Sequence, residues 1–211
     1  MPLNRLARTA LALAAVVTGL AALPGAAATD RWEPYPPGVG GPWGGSVRRI
    51  VVDADGGLWA ATGGGVYRSA DGGDTWAFAS EGFGSLDVTD VAVCGSGPAA
   101  VWAATAGSGL YVSRDAGTTW AATAASALSV AGRPQTRFSH VAVDPTDCDR
   151  VFAATFDDST ALFRSSDGGD TWTNLGSYAV SALAFAADGT LFVGTQDSRL
   201  YRLDPTGGFP S

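Results

Sequence analysis

Short apolar and polar stretches alternate along the chain, and one five-residue pattern occurs four times. An aliphatic residue, an aromatic residue, two small or aliphatic residues and a threonine begin at Leu58, Val101, Val151 and Leu191. These starts are 43, 50 and 40 positions apart, which is close to the period of a propeller blade built from four strands. The repeat therefore predicts an all-β chain of about four antiparallel blades.

Each copy divides into four short runs rich in valine, aromatic residues and threonine, separated by glycine, aspartate and proline. In the first copy these runs cover residues 47–53, 58–62, 66–69 and 75–80, and we expect a strand from each. Residues 50–52 are all apolar, a pattern typical of strands buried on both faces, as in stacked blades. A two-sheet sandwich is the alternative, but unrelated strands do not explain a sequence period.

One eight-residue segment recurs almost unchanged between the third and fourth runs of a copy. It reads SADGGDTW at 69–76, SRDAGTTW at 113–120 and SSDGGDTW at 165–172. In the first segment the Asp71 carboxylate can accept backbone N–H groups ahead of it, and Gly72 with Gly73 supplies positive φ angles. The flanking serine and threonine hydroxyls can bond the remaining backbone groups, and the tryptophan ring can cover the joint to a neighbouring blade. Every part of the segment has a role in folding, and none requires a substrate.

The pattern S-x-D-x-G-x-T-W resembles the Asp-box of BNR-repeat propellers. The matching residues are Ser69, Asp71, Gly73, Thr75 and Trp76, then Ser113, Asp115, Gly117, Thr119 and Trp120, then Ser165, Asp167, Gly169, Thr171 and Trp172. That family includes sialidases, xyloglucanases, sortilin-type receptors and propellers like the photosystem II assembly factor. The resemblance implies a β-propeller with the boxes at the blade periphery, and it leaves the function open.

The predicted blades cover about residues 47–80, 87–124, 137–175 and 179–204. The fourth copy ends without an outer strand, and residues 29–35 resemble the start of one, so this N-terminal strand can complete the last blade. Three arrangements stay open: a closed ring of four blades, a piece of a longer propeller, and two chains that share a larger ring. The chain is accordingly expected to be a monomer or a homodimer.

The first residues have the composition of a secretory signal peptide. Two arginines precede an apolar run over residues 9–23, and an A-x-A site allows cleavage after Ala28. The run is shorter than the ~20 residues of a membrane-spanning helix. We expect residues 1–28 to be removed, and residues 29–211 to form a secreted, extracellular propeller that is not inserted in a membrane.

The charge of the chain excludes two classes of partner. The formal net charge is −7, there is no lysine, and loss of Arg5 and Arg8 with the signal peptide makes the charge about −9. Nucleic acids and anionic membranes bind clustered positive charge. Neither is expected as a partner.

Two cysteines follow matching Val-Ala-Val runs in neighbouring copies. In an oxidising compartment Cys94 and Cys148 can form a disulfide between adjacent blades, unless those turns lie too far apart. The two cysteines and His140, the only histidine, do not have the spacing of a zinc site. The sequence therefore predicts no metal and no cofactor.

The sequence lacks most of the residues that glycosidase chemistry requires. A sialidase needs an arginine triad and a tyrosine activated by glutamate, but the mature chain has only Glu33 and Glu81, and its nearest arginines are Arg48 and Arg49. An inverting glycosidase needs two facing carboxyl groups, for which residues 157–158 and Asp197 are the candidates. A glycoside hydrolase is therefore the runner-up, and no catalytic residue is assigned.

The preferred hypothesis is a non-catalytic binding or scaffolding module for a glycan or a protein, with a sensor or assembly-factor propeller as a further alternative. Propellers bind ligands on the face made by the loops between blades and the loops between second and third strands. The polar residues predicted on that face are Arg133, Gln135, Arg137, Asp157, Asp158, Gln196, Asp197 and Arg199.

Overall fold

The described part of the protein is built from antiparallel β-sheets. The computed structural model describes residues 42, 44–95, 100–123, 128–130, 133–156 and 160–204. Within these ranges there is no helix. The described residues therefore contain no helix that is long and apolar enough to cross a membrane. The signal peptide predicted at 1–28 and the strand predicted at 29–35 lie outside the described residues.

Four sheets follow one another along the chain, each a meander in which consecutive strands pair. Blade 1 contains β1 (Val47–Val52), β2 (Leu58–Thr62), β3 (Gly65–Ser69) and β4 (Ala77–Phe78). Blade 2 contains β5 (Val88–Cys94), β6 (Ala100–Thr105), β7 (Leu110–Ser113) and β8 (Ala121–Ala122). A two-stranded hairpin of β9 (Ser129–Val130) and β10 (Arg133–Pro134) lies between blades 2 and 3. Blade 3 contains β11 (Phe138–Asp144), β12 (Asp147–Thr155), β13 (Leu162–Ser165) and β14 (Thr173–Asn174). Blade 4 contains β15 (Val180–Phe185), β16 (Leu191–Thr195) and β17 (Leu200–Leu203).

The predicted four-blade architecture is confirmed, but the outer strands are shorter than expected. Residues 75–80 were predicted as a strand, whereas β4 has two residues, paired with Arg68 and Tyr67. Two residues further on, the Ser80 hydroxyl accepts the Val66 N–H at 3.1 Å. The Ala79 N–H still donates to the Val66 carbonyl at 2.9 Å, so one backbone bond follows β4 before the Ser80 side chain takes the place of the next backbone acceptor.

The three eight-residue turns share one hydrogen-bond network. In residues 69–76, Gly73 N–H donates to Ser69 Oγ at 2.8 Å, and Ser69 Oγ donates to Asp71 Oδ1 at 2.8 Å. Thr75 donates to both carboxylate oxygens of Asp71, from its N–H at 2.9 Å and from its hydroxyl at 2.6 Å. The same bonds occur in residues 113–120 and 165–172. The Thr75 hydroxyl and N–H, with Ser69, lower the pKa of Asp71 to about 2, so this carboxylate stays ionised as a structural acceptor.

The turns of blades 2 and 3 also receive an aromatic ring from the preceding blade. Trp59 of β2 and Trp102 of β6 are completely buried. A Cβ atom on Gly117 would lie 2.7 Å from Trp59 Cη2, and one on Gly169 would lie 2.3 Å from Trp102 Cη2. These glycines are therefore needed both for their positive φ angles and for the space that the indole occupies.

The tryptophan that ends each turn lies just before the outer strand. Trp172 contacts Trp102 of blade 2 edge to face, with 6.0 Å between ring centroids. Trp120 donates from Nε1 to the Ala79 carbonyl of blade 1 at 2.7 Å. These two rings cover the joint to the preceding blade, as the sequence predicted.

A disulfide links blades 2 and 3. Cys94 at the end of β5 is bonded to Cys148 in β12, with 5.6 Å between their Cα atoms. The turns of these neighbouring blades are therefore close enough for the bridge that the sequence left open.

Every blade has a front face, toward the preceding blade, and a back face, toward the following blade. Three buried clusters fill the joints between blades 1 and 2, 2 and 3, and 3 and 4. The prediction that residues 50–52 are buried on both faces is wrong. Val51 packs on blade 2, but Ile50 and Val52 are exposed on the front face of blade 1, where no sheet of the described residues covers them.

The contact between ring and turn predicts different costs for two glycine-to-alanine substitutions. Gly72→Ala places a Cβ where no atom lies within 4 Å, and the equivalent residue Ala116 already has a positive φ of 54°. We expect it to lower the free energy of unfolding by about 1 kcal/mol. Gly169→Ala adds overlap with Trp102, so we expect a loss of roughly 2 to 5 kcal/mol. Urea denaturation measures both losses, and equal losses would contradict the proposed joint.

Candidate functional site

A cleft of about 750 Å³ opens on the face formed by the starts of the inner strands and the loops between second and third strands. All four blades line it. The inner strands contribute Arg48, Thr89, Ser139 and Ser181, and the loops contribute Ala106, Phe156, Thr160 and Gln196.

A β-bulge at the start of every inner strand supplies one polar side chain to this cleft. The register shifts between Val47 and Arg49, and at the corresponding place in each of the other blades. The residues skipped by the pairing are Arg48, Thr89, Ser139 and Ser181. Because a bulge redirects the side chain of its extra residue, the four blades place equivalent residues in the same cleft.

Two of these bulge residues are fixed by bonds to the backbone. The Thr89 hydroxyl donates to the Phe138 carbonyl of blade 3 at 2.7 Å. The Ala104 carbonyl of blade 2 lies 3.0 Å from the same hydroxyl oxygen. The Ser139 hydroxyl lies 3.2 Å from the Ala154 carbonyl and 3.0 Å from His140 Nδ1. Burial, and then the charge of Arg49, lower the pKa of His140, so the imidazole is neutral at pH 7. The walls of the cleft are therefore rich in hydrogen-bonding groups, two of which are bonded to the protein itself.

The described lining of the cleft has two guanidinium groups and one carboxylate, and so an excess of one positive charge. Arg48 Nη1 lies 2.5 Å from Asp87 Oδ1 and donates to the Val88 carbonyl at 3.0 Å. The Arg137 guanidinium lies over the Phe156 ring, 5.6 Å from its centroid. Asp87 is the single carboxylate among the described lining residues, and it is paired with Arg48. In a chain of net charge −7, such a concave positive site concentrates an anionic ligand.

The structure brings only part of the predicted ligand set to this cleft. Arg137 and Gln196 line it. Gln135 is buried, and its backbone N–H donates to the Leu128 carbonyl at 2.6 Å. Asp197 and Arg199 are exposed outside the lining and pair with each other at 3.1 Å.

Three of the predicted ligand residues cannot be placed. Arg133 lies in β10, but its side chain is outside the described part of the structure, as are Asp157 and Asp158. Across the ranges that are described, no three His, Cys, Asp or Glu side chains form a metal-binding group.

Sequence reasoning missed the bulge residues as a set. Arg48 was considered only as a sialidase arginine, and Thr89, Ser139 and Ser181 were not considered. Their signal is present in the chain, since each follows the first apolar residue of an inner strand. Aligning the inner strands as well as the turns identifies them.

Below the cleft, a buried carboxylate joins blades 2 and 3. Asp90 Oδ2 accepts the Val141 N–H at 3.1 Å, and Asp90 Oδ1 lies 3.7 Å from Arg49 Nε. Burial raises the pKa of Asp90 to about 6, against the opposing effects of the Val141 N–H and Arg49. The ionised carboxylate is therefore destabilised at this joint.

Stacked antiparallel sheets of three or four strands, aromatic joints and a polar cleft at the inner strands define a β-propeller. The profile of the Sortilin-Vps10 family, described as sortilin, neurotensin receptor 3, matches residues 64–203. The chain belongs to this family. A comparison with curated proteins found no match.

Solved structures with this fold have different functions. The structure described as YCF48 bound to D1 peptide is 15% identical, with a TM-score of 0.57, over 80% of this chain and 55% of that one. A GH74 enzyme from Niastella koreensis is 19% identical, with a TM-score of 0.61, over 77% of this chain and 29% of that one. The GH74 xyloglucanase from Xanthomonas campestris is 20% identical, with a TM-score of 0.58, over 78% of this chain and 29% of that one. This chain thus spans about half of the YCF48 chain and under a third of the GH74 chains.

The raised pKa of Asp90 predicts a specific dependence of stability on pH. A carboxyl group whose folded pKa is about 6 rather than 3.8 stabilises the fold fully below pH 3.8, and this contribution is lost as the pH rises through 6. Between pH 4 and 7, the free energy of unfolding of the wild type should fall relative to Asp90→Asn by up to about 3 kcal/mol.

Urea denaturation of both proteins across this pH range measures the difference. His140, which acts in the opposite direction, is present in both proteins and cancels to first order. A difference that does not change with pH would contradict the buried state of Asp90.

Proposed function

We propose that this protein is an exported, non-catalytic propeller whose cleft binds an acidic segment of a partner protein. The observation that carries the proposal is the pair of arginines, Arg48 from blade 1 and Arg137 at the entry to blade 3, in a cleft whose single described carboxylate is neutralised by Arg48.

The chemistry of the cleft suits a peptide with carboxylate side chains. Guanidinium groups bind carboxylates through two parallel hydrogen bonds. The Gln196 amide and the hydroxyls of Thr160 and Ser181 line the same cleft and can pair with the N–H and C=O groups of an extended backbone. Phe156 offers an apolar surface beside Arg137. A stretched segment with acidic residues uses all of these groups.

Two further observations support the proposal. The similar propeller YCF48 has a structure described as bound to a peptide. The disulfide between Cys94 and Cys148 suits an oxidising compartment outside the cytoplasm, in agreement with the signal peptide expected at residues 1–28.

A glycoside hydrolase is the alternative that the GH74 neighbours raise. Inversion of a glycosidic bond requires two carboxyl groups that face each other. The described lining of the cleft has one, Asp87, and it is paired with Arg48 rather than facing a second carboxyl group of the described lining. We therefore prefer binding to catalysis.

Fluorescence anisotropy tests the proposal with a labelled, glutamate-rich decapeptide and its glutamine counterpart. We expect the glutamate peptide to bind more tightly, and Arg48→Gln or Arg137→Gln to weaken its binding by about tenfold or more. A hydrogen bond to a charged group contributes about 1.5 to 3 kcal/mol, and 1.4 kcal/mol corresponds to tenfold.

Arg164→Gln is the matched control, because Arg164 lies on β13 outside the cleft lining, and this variant should bind like the wild type. Equal affinity for the two peptides, or no binding of either, would refute the acidic-segment ligand. Release of reducing ends from xyloglucan would favour the hydrolase.

A further inference from the structure

The front face of blade 1 is exposed at positions that are buried in the other three blades. Ile50, Val91, Val141 and Leu183 hold equivalent places on the inner strands, each paired with the third residue of the repeated five-residue pattern in the neighbouring strand. Val91, Val141 and Leu183 are 1%, 4% and 7% exposed, whereas Ile50 is 54% exposed. Blade 1 thus presents an interface residue with no blade before it among the described residues.

The back face of blade 4 shows the complementary exposure. Val66, Leu110, Leu162 and Leu200 hold equivalent places on the third strands. The first three are at most 1% exposed, whereas Leu200 is 73% exposed. Phe192, the counterpart of the buried Trp59, Trp102 and Phe152, is only partly buried on the same face.

These two sets of positions meet at every joint within the chain. Val66 and Val91 lie in one buried cluster, Leu110 and Val141 in the next, and Leu162 and Leu183 in the third. The back face of blade 4 and the front face of blade 1 are therefore the two halves of a fourth joint of the same kind.

The exposed apolar residues are concentrated on these halves. The described residues include six large hydrophobic side chains that are exposed. Val47, Ile50, Val52 and Phe78 lie on the front face of blade 1, and Leu200 lies on the back face of blade 4. Leu86, in the loop between blades 1 and 2, is the remaining one.

We propose that a second copy of this chain covers both faces, with blade 4 of each copy packed on blade 1 of the other. Two copies of four blades make a ring of eight, within the range of about 4 to 8 blades that propellers adopt. The head-to-tail contact then closes after two steps and leaves neither apolar face open. This inference is independent of the ligand in the cleft.

Light scattering coupled to size-exclusion chromatography tests the pairing over a range of protein concentrations. The wild-type protein is expected at twice the mass of its own denatured chain. Ile50→Arg and Leu200→Glu each place an uncompensated charge on one face, so each is expected at the mass of one chain. In the double variant that combines Ile50→Arg with Leu200→Glu, the new arginine of one copy faces the new glutamate of the other at both contacts. This variant is expected to recover the paired form.

Leu86→Arg is the matched control, since it charges the exposed apolar residue outside both faces, and it should leave the mass doubled. Circular dichroism and an intact disulfide verify folding of each variant. A wild-type protein with the mass of one chain overturns the proposal and points to another occupant, either further blades of a longer chain or residues outside the described ranges. Failure of the double variant to pair, when both single variants are unpaired, overturns the head-to-tail arrangement.

Discussion

The contact of an indole ring with a glycine of the next blade is the interaction on which the rest of this structure depends. The carboxylate of each eight-residue turn, bonded by serine and threonine, holds the glycine in a conformation that other residues rarely adopt. The ring from the preceding blade then fills the space where a side chain would begin, as Trp102 does at Gly169. The turn and the ring are two parts of one joint, which explains why both recur with the blade.

The same joint indirectly shapes the cleft. Face-to-face packing brings the inner strands together at their starts, and the bulge in each strand directs one polar residue into the common space. Thr89 belongs both to the joint between blades and to the cleft, because its hydroxyl bonds to the backbone of the next blade while its side chain lines the cleft. The shape of the cleft therefore depends on blade stacking.

The sequence predicted the features that are local or periodic. Repeats at blade spacing predicted the four sheets, and glycine, aspartate, serine and threonine in the turn predicted its hydrogen bonds. The bulge residues such as Arg48 were not predicted, because a bulge depends on the pairing of two strands and becomes visible in the sequence only when the four inner strands are aligned with one another. The exposure of Ile50 was missed for a different reason, since burial depends on how many blades are stacked. Gln135, predicted on the ligand face, is buried just after the hairpin β9–β10, a pairing that the sequence did not predict.

A double-mutant cycle on the joint between blades 2 and 3 tests the central claim most directly. The cost of Gly169→Ala in the free energy of unfolding is measured in the wild type and in Trp102→Leu, which removes the ring that a new Cβ would meet. The account predicts that the substitution costs at least about 1 kcal/mol less in the Trp102→Leu protein, a coupling within the range seen for residues in contact. Equal costs in the two proteins would show that ring and glycine do not form one joint.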